Sequence, residues 1–255
     1  MSSETVTNKI KRSLASMGRL LYANRRRPVV RELDAREAYR LWAPTYVPET
    51  ATSFLDDELA REMLSGLPFG QLLDAGCGTG RRIAAIPGAV GMDASPEMLA
   101  IGGASDVIVG DVRKMPFDSD RFDMVWCRLV LGHLPDALPA YRELARVCKS
   151  GGYVFVTDFH PDAAAAGQQR TFTDHEGTVH GIEHYVHANH IDLAAQAGLS
   201  LVAQRDGAVG PGILDFYARG IGMKAYKRDL GLNLIAAFLF RKPSNKRRRD
   251  QAEVT

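Results

Sequence analysis

Apolar residues first recur at helical spacing between Lys9 and Tyr22. Ile10, Leu14, Met17 and Leu21 mark one side, with Lys9, Lys11, Arg12 and Arg19 between them, which predicts a short basic amphipathic helix. "RRRP" at 25–28 interrupts it. A second helical pattern runs from Asp34 to Leu41, and "WAPTYVPET" reads as loop. A further helix is expected from Phe54 to Leu64, stopped by "GLPFG". The period then changes. "GQLLDAG", "AVGMDAS", "DVIVGDV", "RFDMVWC" and "YVFVTDF" are compact apolar runs bounded by turn residues, and they read as buried strands. Between them fall helical stretches. "RRIAAI" has room only for a short helix before Pro87. "SPEMLAIGG" has Ser95 as N-cap and Pro96 at the first helical position. "LPDALPAYRELARVCKSGG" reads as a helix of about four turns with a Gly-Gly stop.

Strands alternating with helices predict an α/β, Rossmann-like doubly wound sheet of about seven strands, mostly parallel with helices on both faces. After Phe159 the pattern departs. "RTFTDHEGTVHGIEHYVH" reads as a hairpin inserted after the fifth strand, around an Asp-His-Glu-Gly turn. "ANHIDLAAQAG" is helical, "LSLVAQRDG" a strand, 209–231 loop and helix, and "NLIAAFLFRKP" a last, antiparallel strand. The implied organisation is an N-terminal helical extension or lid at 1–50, a main domain at 51–242 with a substrate cap near 160–190, and a basic tail at 243–255.

Ligands of such sheets bind outside the carboxyl ends of the strands. Asp74, Asp93, Asp111 and Asp158 all fall at or just after those ends. The turn "LLDAGCGTG" at 72–80 adds three glycines, which let backbone N–H groups face a ligand. A nucleoside-triphosphate loop would end in Gly-Lys-Ser/Thr, whereas Thr79-Gly80-Arg81 stands here. A dinucleotide fold needs a third small residue where Arg81 lies, and this side chain is expected to crowd the helix–sheet contact.

"LLDAGCGTG" resembles the first motif of class I S-adenosylmethionine-dependent methyltransferases. "VGMDAS", "VGDVRKMPFDSDRFDMV", "LVLGHLPD" and "ELARVCKSGGYVFVTD" resemble the later motifs in order and spacing. The likeness spans residues 40–159, and it is similar above all to small-molecule enzymes of quinone and natural-product pathways. It departs at Gly132, where the family usually has a histidine. The resemblance implies S-adenosyl-L-methionine as cofactor and S-adenosyl-L-homocysteine as product. Asp93 would then accept from both ribose hydroxyls, which one carboxylate can do. Asp111 would accept from the adenine amino group, and Val112 would pack on the ring. Asp74 would lie near the cofactor's amino group, with Tyr39 and Tyr46 near its carboxylate. Ala75, Gly76, Cys77, Gly78, Ala94, Met98, Gly110, Cys127, Arg128 and His133 complete the expected cofactor surface. An Asn/Asp-Pro-Pro-aromatic motif for base amines is missing where "CRLV" stands, so a small molecule is expected and a nucleic acid is not. The acceptor atom, oxygen, nitrogen or carbon, stays open, as does the oligomeric state. A relative that binds the cofactor for a cyclisation, or only binds it, is the alternative.

Six of the seven histidines fall between His160 and His190. His160 and His184 are candidates for base or substrate anchor, with His133 a third. On a continued strand His180 and His184 would share a face with Ile182 and Val186. His184 and His187 would point apart, so no metal is expected. Charge adds one element. Residues 1–42 carry ten Lys/Arg against four Asp/Glu, and 241–255 carry six against two, around an acidic body. The basic N-terminus could therefore make weak contact with anionic membrane. The three cysteines, Cys77, Cys127 and Cys148, form no CxxC pair, and the N-terminus is polar and then basic. Both features fit a reducing cytoplasm.

Overall fold

The computed structural model describes residues 31–46, 49–68 and 70–244. The Lys9–Tyr22 helix and the basic run at 246–249 lie outside the described residues. The main sheet contains β2 (Leu72–Ala75), β3 (Val90–Asp93), β4 (Val107–Val109), β5 (Phe122–Arg128), β6 (Cys148–Phe159), β9 (Ser200–Ala208) and β10 (Asn233–Arg241). A smaller sheet contains β1 (Arg31–Leu33), β7 (Thr171–Thr173) and β8 (Val179–Ile182). The helices are α1 (Ala35–Trp42), α2 (Ala51–Leu64), α3 (Pro96–Ala100), α4 (Leu138–Val147), α5 (Pro161–Ala165), α6 (His190–Gln196), α7 (Leu214–Arg219) and α8 (Met223–Asp229).

The seven strands lie in the order β4-β3-β2-β5-β6-β10-β9. All neighbours are parallel except β10, which runs against both β6 and β9. The expected Rossmann-like sheet is thus present, with its crossover point between β2 and β5. Both faces of the sheet are covered. On β10, Ala236, Phe238 and Phe240 join the core beneath α4, while Ile235, Ala237 and Leu239 join the core beneath α2. This period-two split explains why the strand reads as one apolar run.

Four local readings are revised. Residues 81–86 form successive turns and no helix. Helix α4 has ten residues, because 134–137 stay outside it. Helix α2 begins a turn earlier than expected, where Thr50 and Ser53 cap each other reciprocally. The inserted hairpin is present as β7–β8, but its strand ends at Ile182, short of His184.

The small sheet was only half legible. Its third strand, β1, pairs in parallel with β8 through Arg31–His180 and Leu33–Ile182. Leu33, Ala38, Trp42, Phe172 and Ile182 form a separate buried cluster. Trp42 stacks on Phe172 at 5.4 Å and meets Tyr46 edge-on at 4.9 Å. Residues 31–46 and the hairpin therefore make one cap above the carboxyl ends of the main sheet. No helix among the described residues is long and apolar enough to cross a membrane.

Candidate active site

A cavity of ≈ 800 Å³ lies between the main sheet and this cap. The glycine turn forms one wall. Gly76 has φ 86°, and a Cβ there would stand 2.1 Å from Val130, so glycine is required for both conformation and space. Asp93, at the end of β3, accepts from Gly78 N–H at 2.7 Å and Ser95 N–H at 2.9 Å. Burial raises its pKa, an effect that these backbone donors oppose. Each carboxylate oxygen keeps a second lone pair for a ligand.

Asp111, beyond β4, is held by Arg113. The guanidinium donates to it at 2.6 and 3.0 Å, and Arg113 N–H donates at 2.8 Å. This pairing holds the Asp111 carboxyl below its ordinary value. Any ligand amine at Asp111 shares the carboxylate with Arg113. Val112 is buried, and it lines the cavity with Gly110, Ala94 and Met98.

Gly76, Cys77, Gly78, Tyr46, Arg128 and His133 also reach the cavity wall. Asp74, Ala75 and Cys127 do not: they sit fully buried in the sheet behind it. Neither oxygen of Asp74 has a hydrogen-bond partner, and burial raises its pKa. This unpaired acid one layer below the glycine turn suits a nearby ammonium group.

Beyond Arg128, sequence reasoning missed the floor of this half. Arg128 is 3% exposed and pairs with Asp56 at 2.8 Å and Asp57 at 2.5 Å. Arg82 pairs with Asp56 at 2.9 Å, and Arg81 with Asp57 at 2.8 Å. Thr157 donates to Asp56 at 2.6 Å. Arg81 crowds no helix–sheet contact; it turns toward α2. Three guanidiniums stand around Asp56 and Asp57, with Asp74 also acting on Arg82, close to the start of α2, whose Thr50–Ser53 stretch lines the same cavity. Such a corner suits a ligand carboxylate. The available signal was the pair "RR" directly after the glycine turn and "DD" on the preceding helix.

The cap side holds the histidines. His133 lines the cavity, and its Nε2 lies 3.1 Å from Tyr39 Oη, which in turn accepts from Arg170 at 3.2 Å. Its Nδ1 is 3.5 Å from the Glu183 carbonyl. Burial, then Arg170 and His184, push its pKa down to about 3, so the ring is neutral. His184 sits behind the wall, 3.6 Å from Asp158 and edge-on to Phe159. Gly132 makes this possible: a Cβ there would lie 2.0 Å from His184 Nε2. His190 approaches the other Asp158 oxygen at 3.5 Å and bonds Tyr141 at 2.9 Å. Burial opposes ionisation of Asp158, but the two histidines hold its carboxyl below the ordinary value. The structure does not bring His160 to the cavity. Its Nδ1 caps α5 by accepting from Asp162 N–H at 3.0 Å. Among the described residues no three His, Cys, Asp or Glu converge as metal ligands.

Residues 73–156, which carry the glycine turn, Asp93, Asp111 and Arg128, match the profile of the family described as "Methyltransferase domain". This stretch of the chain is similar to a methyltransferase domain. Over 99 residues it is 39% identical to the malonyl-[acyl-carrier protein] O-methyltransferase of Herminiimonas arsenicoxydans, covering 36% of this chain and 38% of that protein. It is 35% identical over 108 residues to the demethylmenaquinone methyltransferase of Chlorobaculum tepidum, covering 39% and 45%. The chain thus spans less than half the length of both relatives. Among solved structures, the S-adenosylmethionine dependent methyltransferase from Mesorhizobium loti matches with a TM-score of 0.56 at 18% identity, over 73% of this chain and 97% of that one. The [4+2]-cyclase SpnF matches with a TM-score of 0.56 at 19% identity, over 86% and 100%. At these identities the likeness is one of fold. The match ends within β6, so the small sheet and the cap lie outside it.

Proposed function

We propose that the chain transfers the methyl group of S-adenosyl-L-methionine to a small-molecule acceptor, releasing S-adenosyl-L-homocysteine. The observation that carries this is one cavity wall bearing the glycine turn, Asp93 and Asp111 at the ends of adjacent strands, within a matched methyltransferase domain. The residues fit the cofactor group by group. Asp93 would take the ribose hydroxyls and Asp111 and Val112 the adenine, while Asp74, buried behind the glycine turn, would act on the ammonium only from behind the wall. The arginine-rich floor and the start of α2 would take the carboxylate. When bound, the cofactor supplies an electrophilic methyl on a cationic sulfur.

The chain's own contribution is to hold the acceptor in line with that methyl and to exclude water. The cap does this with Tyr39, Trp42 and Tyr46, and the end of β6 adds Phe159, all of which line the cavity. The named relatives are methyltransferases of malonyl-[acyl-carrier protein] and of demethylmenaquinone, neither of them a nucleic acid, and this supports the reading.

Two measurements test the reading. Calorimetry with S-adenosylhomocysteine should show micromolar binding to the purified chain. Incubation with methyl-labelled cofactor and extract of the source organism should yield a labelled small molecule together with S-adenosylhomocysteine. Binding without any demethylated product would favour the cyclase-like alternative, which the likeness to SpnF motivates. Failure to bind at millimolar concentration would end the proposal.

A further inference from the structure

Six arginines line the cavity, and their partners differ. Arg81, Arg82, Arg113 and Arg128 are each ion-paired. Arg36 is exposed to solvent. Arg170 is half-buried, and among the described residues no carboxylate lies within ion-pair distance of it. Its contact is the Tyr39 oxygen at 3.2 Å. An arginine can only donate, so the Tyr39 oxygen accepts and its own proton is directed to His133 Nε2 at 3.1 Å. The His133 proton then resides on Nδ1 and faces the Glu183 carbonyl. This tautomer follows from the hydrogen-bond network. The chain Arg170–Tyr39–His133–Glu183 is therefore saturated, and neither nitrogen of His133 is free to take a proton from a ligand.

Two exposed carboxylates also reach the cavity wall. Glu183 accepts from Tyr185 at 2.7 Å, and Asp34 caps α1 at 3.0 Å. Asp93 and Asp111 lie on the cofactor side. The titratable or charged groups acting on Tyr39 are Arg170, Tyr46, Asp93 and Arg82, and those acting on His133 include His184 and Asp158. The acceptor side of the cavity thus offers an unneutralised cation beside a histidine whose two ring nitrogens are both engaged. Its walls, Trp42, Tyr46, Phe159 and Tyr217, are aromatic.

We infer that the methyl acceptor is a planar aromatic molecule bound as an oxyanion, a phenolate or a carboxylate, with Arg170 as its counter-charge. The inference rests on the methyltransferase reading and names its substrate class. The acceptor leaves its proton in water as it enters. Its oxygen lone pair then forms the O–CH₃ bond while the S–CH₃ bond breaks onto sulfur, and the opposite charges cancel without any proton transfer on the protein. Arg170 contacts the acceptor directly, and Tyr39 orients the guanidinium.

The probe is 4-nitrophenol, whose ionised form is coloured, titrated in protein saturated with S-adenosylhomocysteine. In the wild-type chain the bound probe should ionise about one pH unit below the free probe. Arg170→Gln should abolish that shift, and Arg170→Lys should restore part of it. Each variant should keep its affinity for S-adenosylhomocysteine within twofold, which also reports correct folding. An unchanged shift in Arg170→Gln, preference for the neutral phenol, or no probe binding to the wild type would overturn the inference. Lack of S-adenosylhomocysteine binding by the wild type would instead overturn the methyltransferase reading.

Discussion

The two halves of the cavity are built in opposite ways. The wall of the cofactor half comes from one stretch of chain, 74–113, joined by short-range bonds such as Gly78 to Asp93 and Arg113 to Asp111, and only its arginine floor is closed by the distant Asp56, Asp57 and Arg128. The cap half is assembled from residues separated by 94 to 131 positions, as in Tyr39–His133 and Arg170–Tyr39. Contiguous turns fix the shape of the first half locally. The second exists only once the small sheet has formed on its separate core of Trp42 and Phe172. A scaffold of this kind can keep one cofactor while the acceptor surface changes.

That contrast can be broken most strongly at the floor of the cofactor half. Arg128→Met should cost about 3–5 kcal/mol in thermal or chemical unfolding, because it leaves Asp56 buried with a lost partner. A loss below 1 kcal/mol would mean that Arg82 alone compensates. Next in size, Asp93→Ala should weaken S-adenosylhomocysteine binding roughly a hundredfold by calorimetry, from lost charged hydrogen bonds of about 1.5–3 kcal/mol each. Unfolding should shift much less than in Arg128→Met.

Gly132→Ala sharpens the comparison from the cap side. The new methyl overlaps His184, which should destabilise the fold by about 1–3 kcal/mol with little change in S-adenosylhomocysteine affinity. Adding His184→Ala should recover most of that loss, and strict additivity of the two changes would exclude the overlap as its cause.

The smallest effect is a slope. His133 has a depressed pKa in the folded chain, so from its ordinary value down to about 3 only the unfolded chain takes up the proton. Stability contributed by the neutral ring is complete above that window and falls as pH is lowered through it. His133→Gln should flatten the pH dependence of unfolding there by at most about 1.4 kcal/mol per pH unit.

The same contrast governs what could be read from residues alone. Strands β2 and β5 were legible because burial on both faces leaves apolar runs between turn residues, and β3, β4 and β6 show similar runs although β4 at the sheet edge is not buried. Asp93 and Asp111 were legible because a strand's end dictates where the next side chains go. The turns at 81–86 were misread as helix. Their Arg81 and Arg82 are drawn toward Asp56 and Asp57 on α2, 24 to 26 residues away. Strand β1 gave no signal, because a three-residue edge with two charged positions has no readable period. The histidines were visible as a group, yet their sorting was not. His160 caps a helix, His184 fills the space at Gly132, and His133 is locked to Tyr39.

Periodicity and turn chemistry by themselves determined the sheet, the glycine turn and the row of acids along it, since each depends on neighbours a few residues away. Only the tertiary structure decided which arginines are neutralised, which histidine meets the cavity and what covers it. Charge pairing and burial depend on distances in space, and the chain brings those groups together only when the cap closes over the sheet.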